Sequence, residues 1–345
     1  MHHRWLPSSR TLVLLAALVG LSLSVTARVA GQAPSSAGSA GETAAAPYTP
    51  PRTPDGRPDL QGFWTNSSYT PLERPDDVNK AFYTLEEVLA REASAAERES
   101  GQTEPGTRAD VHYDFSQFGL DRSQSTIARN LRTSLIVDPP DGRIPPMTAE
   151  GRQRAADRAA ERAARGGPYD AVQNMPAGSR CIIMGGAGPP MMNAGYNSNY
   201  QIVQSPDHVM ILTEMIHDVR IIPIDGRPQP PAGVQQWIGL SRGRWDGDTL
   251  VVETTNFNGK NPFRGSSERM RVTERFTRVA DDTIRYQFTV DDPHTWTRPW
   301  TADMPMQRTI GPIFEFSCHE TNYGIANILA GARADERKAA EETSR

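Results

Sequence analysis

MRVTERFTRVADDTIRYQFTVDD, residues 270–292, is the stretch whose reading decides the fold. Val, Ile, Thr and aromatic residues dominate it, and TERFTRV and RYQFTV alternate polar with apolar side chains at the period of two that a strand imposes. Ala280-Asp281-Asp282 interrupts the pattern with turn chemistry. The stretch therefore predicts two antiparallel strands with one packed face and one wet or functional face.

The same texture runs from Tyr200 to Cys318. YQIVQS, HVMILTEMIHDVRIIPI, QQWIGLSRGRW, TLVVETTNF, PMQRT and IFEFSC are further strand candidates. Asp246-Gly247 is a hairpin signal and IDGR ends the Ile-rich run. Because turns and periods agree, residues 200–332 are expected to form a mainly β body, a large antiparallel sheet closed as a barrel or folded as a sandwich.

Residues 47–199 read as an extended arm, helices and loops packed on that body. The arm, PYTPPRTPDGRPDLQGFWTNSSYTPLERP, has too many prolines for a helix, leaves QGFWT as a short strand and offers Phe63 and Trp64 as anchors. Thr84 and Glu87 form a capping box that starts a helix running to about Ser100. SLIVDPPDGR predicts a strand, and a second helix follows Thr148 as far as Gly166. That helix is apolar almost only through alanine, so it covers a surface without building much core. Residues 333–345 form a polar tail that extends the helix begun by NYGIANILA or frays.

At the other end, MHHRWLPSSR precedes the apolar run TLVLLAALVGLSLSVTA, the layout of a signal peptide over residues 1–27. Residues 28–46 form an Ala/Gly/Ser/Pro linker expected to be disordered. No later apolar run reaches the roughly 20 residues that cross a bilayer, so the mature chain is expected to be periplasmic or secreted and not to bind membrane. The net charge of −4 becomes more negative once Arg4 and Arg10 leave with the signal, so nucleic acid is not an expected partner. Cys181 and Cys318 are the two cysteines. In an oxidising compartment they imply one disulfide, with two separate thiols as the alternative. The bond would bring the glycine-rich segment CIIMGGAGPPMMNAGYN against CHETNYG.

Several polar residues are candidates for chemistry. Read as one strand, VMILTEMIHDVR puts Glu214, Asp218 and Arg220 on one face and His217 on the other. Glu214 is then either the ion-pair partner of an arginine such as Arg220 or a cavity carboxylate able to move a proton. Only a kink would let Glu214 and His217 share a divalent metal; otherwise no cofactor is expected. In HTWTRPW, extended geometry aligns His294, Trp296, Arg298 and Trp300 as a surface that stacks a ring and grips an oxyanion, the alternative being an aromatic core patch. His217, His294 and His319 are the candidate proton carriers. His319 ranks first among them beside the disulfide, Tyr323 is a possible donor, and His112 with Tyr113 can reach the same cleft from an arm or lid.

Familiar signatures are missing. Gly185, Gly186 and Gly188 have neither phosphate-loop nor dinucleotide spacing and read as loop or lid, with Met191, Met192 and Tyr196 available to line a pocket. The sequence contains no G-x-S-x-G, no H-E-x-x-H and no C-x-x-C-H.

The combination PRTPDGRPDLQGFWTN, TPLERP, DPPDGRIPP, YQIVQS, EMIHDVRIIPIDGRP, SRGRWDGDTLVVETTNF and CHETNYG, covering most of residues 49–332, resembles a family of exported, uncharacterised β-rich bacterial proteins. The resemblance implies export and one integrated fold, not a reaction. The residues themselves suggest an enzyme, a hydrolase or lyase, using His and carboxylate acid–base chemistry on a small polar, sugar-like or aromatic substrate. Two alternatives stand beside it: a lipocalin-like binding protein, and a structural or interaction module. Oligomeric state is left open.

Overall fold

In the computed structural model, residues 48–100, 126–184, 188–193, 196–320 and 322–344 are described. The signal peptide, the linker, His112 and Tyr113 lie outside them.

The opening stretch forms strands β8 (Arg271–Ala280) and β9 (Thr283–Asp291). Their register sets Val272 opposite Val290, Glu274 opposite Phe288 and Phe276 opposite Tyr286, and all six are buried. One strand face therefore points into the molecule along its whole length, as the alternation requires. β6 (Leu240–Asp246) and β7 (Thr249–Thr255) form the next hairpin, turning at Gly247 with φ of 58°. The remaining strands are β1 (Gly62–Thr65), β2 (Ile136–Asp138), β3 (Asn199–Gln204), β4 (His208–Thr213), β5 (Val219–Pro223) and β10 (Trp300–Arg308).

All ladders are antiparallel, in the order β5-β4-β3-β1-β10-β9-β8-β7-β6. β1 and β2 share one edge of β10: β2 pairs at Thr301 and Ala302, β1 at Gln307 and Arg308. The arm thus supplies a strand to the middle of the sheet, between β3 and β10. The ends β5 and β6 come together, so the sheet is nearly closed into a barrel. Gly243 of β6 stands where a Cβ would lie 3.0 Å from Ile222 and 2.8 Å from Ile224, so its lack of a side chain lets β5 approach.

The interior is packed with side chains, among them Trp64, Tyr200, Phe276, Tyr286, Phe288 and Trp300. Within this apolar filling lies a charged knot. Arg220 of β5 donates to both carboxylate oxygens of Glu274, at 3.1 and 2.5 Å, and to Ser241 Oγ of β6 at 3.2 Å. The Tyr286 hydroxyl donates to Glu274 at 2.8 Å and accepts from the Met191 N–H at 2.9 Å. Arg220 therefore stitches β5 to β6 and β8 across the barrel seam. Burial alone would weaken the guanidinium's hold on its proton, but the adjacent Glu274 carboxylate more than offsets this and leaves its pKa raised. Burial also raises Tyr200 and Tyr286 above the ordinary phenol value.

Three helices lie outside the sheet among the described residues. In α1 (Leu85–Ser100) the capping box forms as predicted: Thr84 N–H donates to Glu87 at 2.7 Å and Glu87 N–H to Thr84 Oγ1 at 3.2 Å. α2 (Ala149–Ala164) starts after Thr148, whose hydroxyl accepts from Gly151 N–H at 3.0 Å. α3 (Tyr323–Thr343) takes in the expected polar tail, and none of its residues is buried.

Two strand predictions need correction. HVMILTEMIHDVRIIPI is not one strand: β4 ends at Thr213, a tight turn covers Met215–His217 with Ile216 and His217 at φ of 62° and 47°, and β5 starts at Val219. Glu214, Asp218 and Arg220 consequently share no strand face, and Arg220 pairs with Glu274 rather than Glu214. IFEFSC forms no strand. Along β10 the neighbouring positions are already held by β9 on one side and by β1 and β2 on the other.

Candidate acid–base site

The chain leaving β9 turns sharply at Asp292. Its buried carboxylate accepts from Ser267 N–H at 2.7 Å, Ser267 Oγ at 2.9 Å and Thr295 Oγ1 at 2.6 Å, and its carbonyl accepts from the N–H groups of Thr295 and Trp296 at 2.9 Å. The turn buries Thr295 and Trp296 and leaves His294 partly exposed. The first turn of α2 packs directly on it. An added Cβ on Gly151 would lie 2.6 Å from the Thr295 carbonyl oxygen, and Thr148 Oγ1 and Arg154 both donate to the His294 carbonyl at 3.1 Å.

This docking brings Glu150, two residues into α2, to His294. Both carboxylate oxygens lie 3.1 Å from Nδ1, while Nε2 lies 3.2 Å from Arg269 Nη1. A guanidinium has only N–H groups to give, so Nε2 accepts and the ring proton sits on Nδ1, donated to Glu150. The result is a neutral imidazole held by a carboxylate, its basic nitrogen turned toward a cation. The pair opens on a pocket of about 400 Å³, whose walls include Arg154, Lys260 and Glu268. Arg158, Gly259 and Lys260 also line an adjoining cleft of about 1060 Å³.

The aromatic–arginine stripe does not form, because residues 293–298 turn instead of extending. Trp296 and Trp300 are buried and meet edge to face at 5.8 Å, as a core patch does. Arg298 points outward and binds Asp138 at 2.7 and 2.9 Å. His319 and Tyr323 are exposed beside the Cys181–Cys318 disulfide, which is present. His217 is exposed, and its Nδ1 meets the Phe316 carbonyl at 2.9 Å, two residues before Cys318. Glu214 is buried and accepts from Asn199 Nδ2 at 2.7 Å. Among the described residues no group of three or more His, Cys, Asp or Glu could hold a metal ion. Met191 lies in the barrel core rather than lining a pocket.

Of the predicted residues that are described, then, His294 alone lines the acid–base pocket, and its partners Glu150 and Arg269 are not among the sequence candidates. Glu150 follows a helix-capping threonine, which signals a helix start but no pairing. The Asp292-Pro293 step was the one local signal that HTWTRPW begins in a turn.

No protein-family model, curated protein or solved structure matches the chain. Among the described residues no helix is long and apolar enough to cross a membrane, and the disulfide implies an oxidising environment.

Proposed function

We propose that the protein is a periplasmic or secreted acid–base enzyme that abstracts a proton beside a carboxylate on a small sugar-like substrate, with lyase-type elimination as the reaction. The observation that carries this reading is the Glu150–His294–Arg269 array opening on a wet pocket. Glu150 fixes the Nδ1–H tautomer and stabilises the imidazolium that forms. Arg269 leaves Nε2 to bind the substrate carboxylate, which acidifies the adjacent C–H and places it beside the base. Nε2 takes the proton, the C–H electron pair becomes a C=C bond, and the C–O bond to the β leaving group breaks. The imidazolium then returns the proton to the departing oxygen. The N-terminal signal layout and the disulfide support the location. The packed barrel interior gives the lipocalin-like alternative little room.

The test is turnover of a panel of uronate disaccharides and other β-alkoxy carboxylates, followed by the ultraviolet absorbance of the unsaturated product. H294A is expected to lower kcat by roughly 10²–10⁴-fold, the range for a lost general base. E150Q, which keeps an acceptor oxygen, is expected to lose less. Turnover by H294A at the wild-type rate, or none by the wild type on any member, rejects the reading.

A further inference from the structure

The cleft beside the His294 pocket has a composition that the acid–base chemistry does not require. One wall is the face of α2 carrying Arg158, Arg162 and Arg165; the other includes Arg180, Trp237 and Lys260. Arg158 is spent on structure, donating to the carbonyls of Gly265 and Ser266 at 3.3 and 3.1 Å, and Arg165 pairs with Glu161 at 3.5 Å. Among the described residues, Arg162, Arg180 and Lys260 form no ion pair. Burial above all, with Arg154 and Arg162 nearby, lowers the Arg158 pKa, and Glu161 and Asp292 pull it the other way. Trp237 is half-buried with Lys260 Nζ 5.9 Å from its ring centroid, so an indole stands within this cationic surface.

We infer that this cleft is an extended subsite for an acidic oligosaccharide, a chain of carboxylate-bearing sugars one unit of which enters the His294 pocket. The inference rests on the reading of that pocket as the place of reaction. Three features select the ligand class. The cleft of about 1060 Å³ reaches the top of the roughly 300–1,000 Å³ usual for one small molecule, and with the adjoining His294 pocket of about 400 Å³ the space extends beyond it. Guanidinium and ammonium groups without carboxylate partners match carboxylates repeated along a chain, while an indole face matches the apolar face of a sugar ring. The third is charge: the chain as a whole is net negative at −4, which opposes long-range capture of any polyanion, so binding rests on short-range contact with the cleft's own guanidinium and ammonium groups. Arg158 and Lys260 line both spaces, so a chain bound along the cleft meets cations where it passes from the indole toward the imidazole.

Calorimetric titration with oligogalacturonates of increasing length tests the subsite. H294A, which lacks the assigned base and so holds the chain uncleaved, is expected to bind more tightly as the chain lengthens. R162A/R180A in the H294A background, with both arginines reaching the surface, is expected to weaken the longer chains by roughly tenfold or more and so to remove the gain with length. Circular dichroism checks that the variant is folded, and W237A provides a second, uncharged probe. Affinity that does not grow with length, equal binding of a carboxyl-reduced chain, or tighter binding of a single-stranded oligodeoxynucleotide overturns the inference. Chains that bind with the expected length dependence but are not cleaved reject the proposed reaction and leave the subsite standing. Cleavage of short substrates without any gain in length does the reverse.

Discussion

Replacing Glu274 by glutamine tests the charged knot at the barrel seam. The amide keeps the shape of the carboxylate and an oxygen for the Tyr286 hydroxyl, but removes the charge that compensates Arg220. The Arg220 and Glu274 side chains are 2% and 0% exposed, so water cannot take the place of the missing charge. Leaving one buried partner uncompensated costs roughly 3–5 kcal/mol. Against a total stability of roughly 5–15 kcal/mol, that is a large fraction. With a urea m-value of roughly 1–3 kcal/mol per M, E274Q should lower the unfolding midpoint by about 1 M or more. Urea titration followed by tryptophan fluorescence measures it. The double variant R220M/E274M buries no charge and should recover most of the loss, because swapping a whole buried pair for apolar residues is often neutral or stabilising. Equal losses in E274Q and the double variant would show that the two charges are not coupled, and a negligible loss in E274Q would show that Arg220 reaches water.

Removing the disulfide with C181S/C318S should cost up to about 5 kcal/mol on the chain-entropy estimate for a separation of 137 residues, and a calorimetric Tm equal to wild type would show that the bond constrains nothing. G151A should destabilise, although alanine gains about 1 kcal/mol over glycine within a helix, because its methyl group would press on the Thr295 backbone; a rise in Tm would mean that α2 does not pack on that turn. Burial raises the Asp218 pKa, with His217 pulling the other way. The folded protein therefore binds that proton more tightly than the unfolded chain, and this carboxyl's contribution to stability falls as pH rises from the ordinary value of 3.8 through the raised one. D218N should remove that decline and be more stable than wild type at neutral pH, so coincident urea midpoints across the pH range would contradict the assignment.

The sheet was readable in the sequence wherever its connections are local. The β6–β7 and β8–β9 pairs are tight hairpins, Gly247 and the Asp281-Asp282 pair mark their turns, and one buried face keeps the alternation of β8 and β9 clean. The break between β4 and β5 was hidden because Ile216 and His217 adopt positive φ without the glycine or asparagine that usually announces it. IFEFSC has strand chemistry, but both sides of the preceding β10 are already paired, a fact that belongs to the assembled sheet. The acid–base array was legible only in part. His294 stands out as an ionisable residue near aromatics, whereas Glu150 meets it only because Gly151 lets α2 lie against the Asp292 turn.

Strand β1 lies between β3 and β10, and with β10 it draws on opposite ends of the folded unit. In a chain made from its N-terminus, Trp64 must wait for almost the entire molecule before its second neighbour exists. Assembly of the centre of the sheet is thus a late event of high contact order, expected to be slow. Until then β1 presents an unpaired edge, and a chaperone or a leader that holds it back from other chains would guard the protein at its most vulnerable moment.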